Sequence, residues 1–214
     1  MKRVLYLILL TSVMAVSCNP AKFTVKDRKI IHTQYERDVM PLMLVNNKAD
    51  SIILYTPSEN FKVNPKDRNL RRLVDLMYHT CTDTLNPGVG IAAPQVGVNK
   101  RIVWVQRFDK KENPFEVYFN AEILFLSKSQ SEGWEGCLSV PNYRALVQRS
   151  DTIVIRYDSY EKRKVKETVT GFTAVIFQHE IDHLNGKLYL DRVLDKEKLF
   201  TEEEYLFWKA SNSK

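Results

Sequence analysis

The pentapeptide His179-Glu180-Ile181-Asp182-His183 carries the residue types of a hydrolytic metal site at helical spacing. Side chains at i and i+4 project from one face of a helix, so two imidazoles placed this way can bind one ion. The carboxylate between them then stands beside that ion, where it can take a proton from a water. Phe172, Val175 and Ile176 continue the apolar stripe on which both histidines lie, and Gly186 follows as a C-terminal stop. The spacing therefore predicts a helix over 172–185. The competing account is a pair of core histidines satisfied by backbone or carboxylate hydrogen bonds, and the glutamate between them argues against it.

Two imidazoles do not complete a catalytic metal site, which usually takes three protein ligands. The other histidines, His32 and His79, have no comparable context. Cys137 lies in Glu135-Gly136-Cys137-Leu138-Ser139, where the glycine permits close backbone approach and the thiol can bind as thiolate. A lone cysteine in a loop is otherwise most often an inert buried thiol. A third segment, Gly88-Val89-Gly90-Ile91-Ala92-Ala93-Pro94-Gln95, places small residues where a ligand can come near the chain, with the Gln95 amide as a donor for an oxyanion. Its spacing alone favours a glycine-rich turn between a helix and a strand at 101–106. It is not a phosphate loop, since no Lys-Ser/Thr follows, and it lacks the third glycine of a dinucleotide fingerprint.

Taken together and in this order, the segments ending at Gln95, Ser139 and His183 resemble the three signatures of the peptide deformylase family, G-x-G-x-A-A-x-Q, E-G-C-x-S and Q-H-E-x-D-H, the last opening here at Gln178. The likeness extends over 69–193. Residues 19–60 lack the family's usual opening phrase, and Tyr160-Glu161 stands where a glycine is common. The resemblance implies that Cys137, His179 and His183 hold a divalent ion with one position left to water, and that Glu180 is the base. It further implies that Gln95 and the Leu138 N–H hold the oxyanion, and that Glu135 is a structural acid paired with Arg149. Val89, Phe172, Val175 and Ile176 match positions lining a methionine pocket, while Gly90 and Arg144 match positions along the substrate backbone. The implied substrate is an N-formylmethionyl peptide, and the implied ion is Fe2+, with Zn2+ or Ni2+ able to substitute. A thiolate and two imidazoles by themselves suit zinc by softness and affinity order.

The elements that must position these residues read as one α+β domain, with antiparallel or mixed sheets packed around a central metal-binding helix. At 214 residues and 44% hydrophobic the chain can bury a sizeable core without disulfides, and its three cysteines cannot all pair with one another. A net charge of +6 without a dense block of like charge gives no argument for nucleic acid as a partner. Leu70, Leu73, Val74 and Met77 fall at helical spacing behind an Asn64-Pro65 start. Strand-like runs follow at 101–106, 116–119, 123–126, 144–147, 152–157 and 164–170. Thr201 with Glu204 forms a capping-box pattern ahead of Tyr205, Leu206, Phe207 and Trp208, so a short helix is expected at the C-terminus, its aromatics serving as packing.

The N-terminus carries a separate message. Met1-Lys2-Arg3, an apolar run from Val4 and the small-residue sequence Ala15-Val16-Ser17-Cys18 occur in the order of a lipoprotein signal peptide. The expected organisation is a signal peptide at 1–17, a tether lipidated at Cys18 with an altered domain edge at 18–60, a catalytic domain at 61–197 and a C-terminal helix at 198–214. The partner would be a membrane reached through the N-terminal lipid, and the location exported and membrane-anchored, or cytoplasmic if the signal is not used. Two other functions fit parts of the pattern: a zinc endopeptidase sharing only H-E-x-x-H, and an inactive peptide-binding lipoprotein on a deformylase scaffold.

Overall fold

The computed structural model describes residues 22–193 and 195–212. Segment 1–17 and Cys18, on which the export expectation rests, lie outside the described residues. In chain order the elements are α1 (Val25–His32), α2 (Lys48–Leu54), α3 (Arg68–Cys81), β1 (Gly90–Ala92), β2 (Ile102–Gln106), β3 (Phe115–Leu126), β4 (Gln130–Cys137), β5 (Val140–Ser150), β6 (Thr152–Asp158), β7 (Val165–Thr170), α4 (Gly171–Leu184), β8 (Leu199–Thr201) and α5 (Glu202–Asn212). A five-stranded sheet has the order β1-β2-β3-β6-β7 and a three-stranded sheet the order β4-β5-β8. All ladders between these strands are antiparallel. The fold is a single α+β domain, as the periodicities predict.

α4 is the element on which both sheets meet. It is buried on nearly every face, its first half mostly apolar and its second half carrying Gln178, Glu180, Asp182 and His183 into the interior. Ala174, Ile176, Phe177, Ile181 and Leu184 pack against Val103, Val105, Tyr118, Ile153 and Ile155 of the larger sheet. Gln178 ties the helix to the end of β5, accepting from the Ser150 N–H at 3.1 Å and donating to the Ser150 carbonyl at 2.9 Å. The helix stops at Asn185, and Gly186 adopts φ +66°. A Cβ there would also lie 2.6 Å from the Tyr55 carbonyl oxygen, so both backbone conformation and space demand glycine. On the opposite face of the sheet, Leu70, Leu73, Val74 and Met77 of α3 meet Ile91, Ile102 and Phe119.

Several boundaries differ from the sequence expectation, each for a local reason. α3 begins at Arg68 rather than at the Asn64-Pro65 pair, because Asn64 closes a turn on itself and the Asp67 side chain caps the helix. The expected strands at 116–119 and 123–126 form one strand, β3, bulged at Asn120. That residue sits at φ +52° with its side chain bonded to the Phe61 backbone and to Asp158, which offsets the strain. Cys137 is not in a loop: it ends β4 opposite Val140, and Leu138-Ser139 make a two-residue hairpin turn. Residues 22–60 contain α1 and α2 and give Phe23, Ile31, Met40 and Leu54 to the interior.

Candidate metal centre and substrate cleft

Three elements bring the site together. α4 presents His179, Glu180 and His183; the β4–β5 hairpin presents Glu135, Cys137 and Leu138; and β1 runs into a 3-10 turn at Ala93–Val96 that presents Gln95. Cys137 Sγ lies 3.2 Å from His183 Nε2. Gln95 uses its side-chain oxygen to accept from the Ala92 N–H at 2.8 Å, which aims its amide nitrogen at Cys137 Sγ, 3.5 Å away, and Ser139 Oγ, 3.3 Å away. The ring of His179 is oriented from behind by Glu135, with Nδ1 2.8 Å from the carboxylate Oε2. An imidazole that donates through Nδ1 leaves Nε2 as a ligand atom, the usual arrangement behind a metal-bound histidine.

Glu135 is in turn held by Arg149, whose Nε and Nη2 donate to its two oxygens at 2.7 and 3.0 Å. Nη1 of the same guanidinium donates to Asp182 at 2.6 Å. Burial opposes ionisation of Glu135, but the hydrogen bonds from Arg149 and His179 prevail and hold its pKa down to about 2. Glu180 is different: burial pushes its pKa up to about 7 against the opposing charge of His179, and the Glu135 charge adds to the rise. Burial also keeps His183 well below the ordinary imidazole value, while hydrogen bonds to Cys137 and Glu135 overcome burial and raise His179 well above it.

The donor set fits a divalent cation. Ligand atoms of Cys137, His179 and His183 all lie within 4.8 Å of one another. Independently, Glu180 Oε2 is buried without a hydrogen-bond partner among the described residues, as is His183 Nδ1. An uncompensated buried carboxylate oxygen is costly, and a water or ion beside it removes that cost. Glu180 reaches this position because residue 90 has no side chain: a Cβ on Gly90 would lie 2.5 Å from Glu180 Oε1.

Above the donors opens a cleft of ≈ 580 Å³. Of the residues expected at the site, Val89, Gly90, Gln95, Cys137, Leu138, Arg144, Phe172, Val175, Ile176, His179 and Glu180 line it, while His183 lies buried behind them. Sequence reasoning missed three contributors. Asp182 clamps both Arg149 and Arg192, and the signal was an acid on a buried helix face. Ser139 shares the Gln95 amide. Glu202 lines the cleft from α5, and its partner Arg144 is 58 residues away in sequence, beyond any local pattern.

A buried helix carrying two imidazoles and a carboxylate, met by a thiol from the end of a hairpin strand, defines a metallohydrolase of the H-E-x-x-H kind. Residues 40–199 match the family model for polypeptide deformylase. A peptide deformylase of Desulforudis audaxviator is 41% identical over 154 residues, covering 72% of this chain and 94% of that one. Peptide deformylase 2 of Nostoc sp. is 38% identical over 157 residues, covering 71% and 87%. The chain belongs to the peptide deformylase family and is an enzyme of that family. Its fold superposes on the Met-Ala-Ser-bound class I type b peptide deformylase of Acinetobacter baumannii with a TM-score of 0.62 and 35% identity, over 72% of this chain and 99% of that one. The Thermotoga maritima peptide deformylase gives a TM-score of 0.63 at 30% identity, over 73% and 99%.

Proposed function

We propose that this enzyme hydrolyses the formyl amide of N-formylmethionyl peptides and releases formate. The observation that carries the reading is the unpartnered Glu180 carboxylate at the floor of the cleft, beside the converging Cys137, His179 and His183. Cys137, His179 and His183 would hold a divalent ion, which would supply Lewis acidity toward a carbonyl oxygen and a water. Glu180 accepts the proton of the attacking water and passes it to the departing amine, and its elevated pKa suits both steps. Gln95 Nε2 and the Leu138 N–H donate to the oxygen on which charge develops, each such donor being worth about 3 kcal/mol of barrier. Val89, Phe172, Val175 and Ile176 offer an apolar slot for an unbranched thioether side chain. The Acinetobacter relative's bound Met-Ala-Ser has the chemistry of the product of such a reaction.

Fe2+ is the proposed ion of the active form, with Zn2+ or Ni2+ able to substitute, because a thiolate and two imidazoles accept all three. The reading is tested by measuring formate released from formyl-Met-Ala-Ser by protein loaded anaerobically with each ion. Release of formate, highest with Fe2+, is expected. Cleavage of an internal peptide bond instead would favour an endopeptidase, and binding without turnover would favour an inactive module.

Export and acylation at Cys18 are proposed on the signal-like sequence of residues 1–18 alone. No helix among the described residues is long and apolar enough to cross a membrane. Cys18→Ser should release the protein from the membrane fraction or leave an unprocessed precursor. A native chain beginning at an unmodified Met1 in the cytosol contradicts this placement.

A further inference from the structure

The family match ends at residue 199, yet the wall of the cleft continues past it. Glu202, the first residue of α5, faces the cleft beside Arg144 of β5. Its Oε2 accepts from Arg144 Nε at 2.9 Å, and the Tyr205 ring, one turn further along α5, lies 5.1 Å from the guanidinium carbon. On the other side is Gly136, the residue before the ligand Cys137. A Cβ there would stand 2.7 Å from Arg144 Nη1, so the guanidinium occupies space that only glycine leaves open. Carboxylate, ring and glycine gap together fix one rotamer of a long side chain that would otherwise sample many.

α5 is itself well anchored. Trp134 of β4 packs against Phe200, Tyr205 and Trp208, with ring centroids 5.0, 4.8 and 4.8 Å away. Thr201 and Glu204 close the expected capping box at the helix start. Arg144 is bound through Nε, and neither terminal nitrogen makes a hydrogen bond to the described residues. Those two NH2 groups are left to the cleft.

We propose that Glu202 is a positioning residue for the peptide segment beyond methionine: it holds Arg144 so that the terminal N–H groups of the guanidinium meet backbone carbonyls of the substrate. The inference rests on the deformylase reading and adds to it a residue from outside the family-matched span. It predicts a dependence on substrate length. A substrate with residues after methionine uses the clamp, and formyl-Met alone does not reach it.

The test compares formate release by the Fe2+-loaded wild type, Glu202→Gln and Glu203→Gln, using formyl-Met-Ala-Ser and formyl-Met. Glu203 is the neighbouring acid on the same helix, so its variant removes one charge without touching Arg144. Because the Arg144–Glu202 pair is partly exposed, Glu202→Gln should raise KM for the tripeptide about three- to fivefold, with kcat and the KM for formyl-Met unchanged. Glu203→Gln should match the wild type. Equal changes for both substrates, an equal effect of Glu203→Gln, or an unchanged tripeptide KM would each overturn the proposal. Binding of Met-Ala-Ser, measured by titration calorimetry, should weaken by the same factor in Glu202→Gln and reads the clamp without turnover. Absence of formate from the wild type on either substrate would defeat the deformylase reading, whereas a calorimetric difference would still register the clamp.

Discussion

Of the three arginines buried among the described residues, Arg149 and Arg107 are hydrogen-bonded to carboxylates, and these two do different work. Arg149, 4% exposed, bridges Glu135 and Asp182, both of which are 5% exposed. Arg107, 1% exposed, binds Asp109, Glu116 and Glu167, which are 27%, 34% and 25% exposed, and donates to the Tyr118 hydroxyl at 2.5 Å. Around Arg149 cation and anions are desolvated together, so each depends on the others. Around Arg107 only the cation is desolvated, and its acids keep access to water. The first cluster orders a proposed metal ligand, because Glu135 also orients His179. The second fastens the turn after β2 to β3 and β7, with Tyr118 passing the contact to Phe177 of α4 through a T-shaped pair 4.8 Å apart. A buried arginine by itself says nothing about function; the burial of its partners and what they touch decide.

The sharpest way to break this comparison is Arg149→Met. Removing the cation leaves buried Glu135 with His179 alone and Asp182 with Arg192 alone, a loss of about 3–5 kcal/mol by the usual cost of removing one member of a buried pair. Denaturant unfolding should show that loss, and the metal content of the folded fraction should fall because His179 is no longer oriented. Stability and metal content like those of the parent would remove the distinction between the clusters.

Arg107→Met should cost less, about 1–2 kcal/mol, since its acids can turn toward solvent. Metal content should not change. A loss as large as that of Arg149→Met would show that exposure of the partners is irrelevant.

The smallest expected effect is on acid stability. Asp109 is held below the ordinary carboxylate value by the Arg107 hydrogen bonds, and Glu116 is lowered by hydrogen bonds from Lys110 and Tyr118 that outweigh its burial. Groups with a lower pKa in the folded state contribute stability that is fully present above their unfolded values, about pH 4, and is lost as pH falls through the folded ones. The parent should therefore lose stability below about pH 4 more steeply than Arg107→Met. Parallel curves would mean that these acids gain nothing from the guanidinium.

The sequence makes some of these features readable and hides others. The α4 site is legible because two histidines, a glutamate and an apolar stripe share one helical period, and the Thr201–Glu204 cap is legible because its partners are three residues apart. β4 is not: Gln130-Ser131-Glu132-Gly133-Trp134-Glu135-Gly136-Cys137 has two glycines and little β-branched character, and only its pairing with β5 makes it a strand. The continuity of β3 is hidden for a similar reason, since the bulge at Asn120 depends on Phe61 and Asp158. α1 lies before the span that matches the family and α2 lies inside that span but outside the three signature segments, and each is under three turns long. The Arg149 clamp joins β4, β5 and α4, and of its members only the Glu135–Arg149 pair is implied by the family resemblance. Asp182 and Glu202 act through arginines distant in sequence, so their roles emerge only from the fold.

Glu180, unpartnered and pressed against Gly90, is the proposed base of this deformylase. That role is tested most directly by Glu180→Gln, with formate release from formyl-Met-Ala-Ser and bound metal measured on the same preparation. The amide keeps the size of the side chain and leaves Cys137, His179 and His183 in place, but it cannot accept a proton. The expected result is a full complement of metal with turnover reduced by at least about a hundredfold. Near-parental formate release from the metal-replete variant would contradict the account.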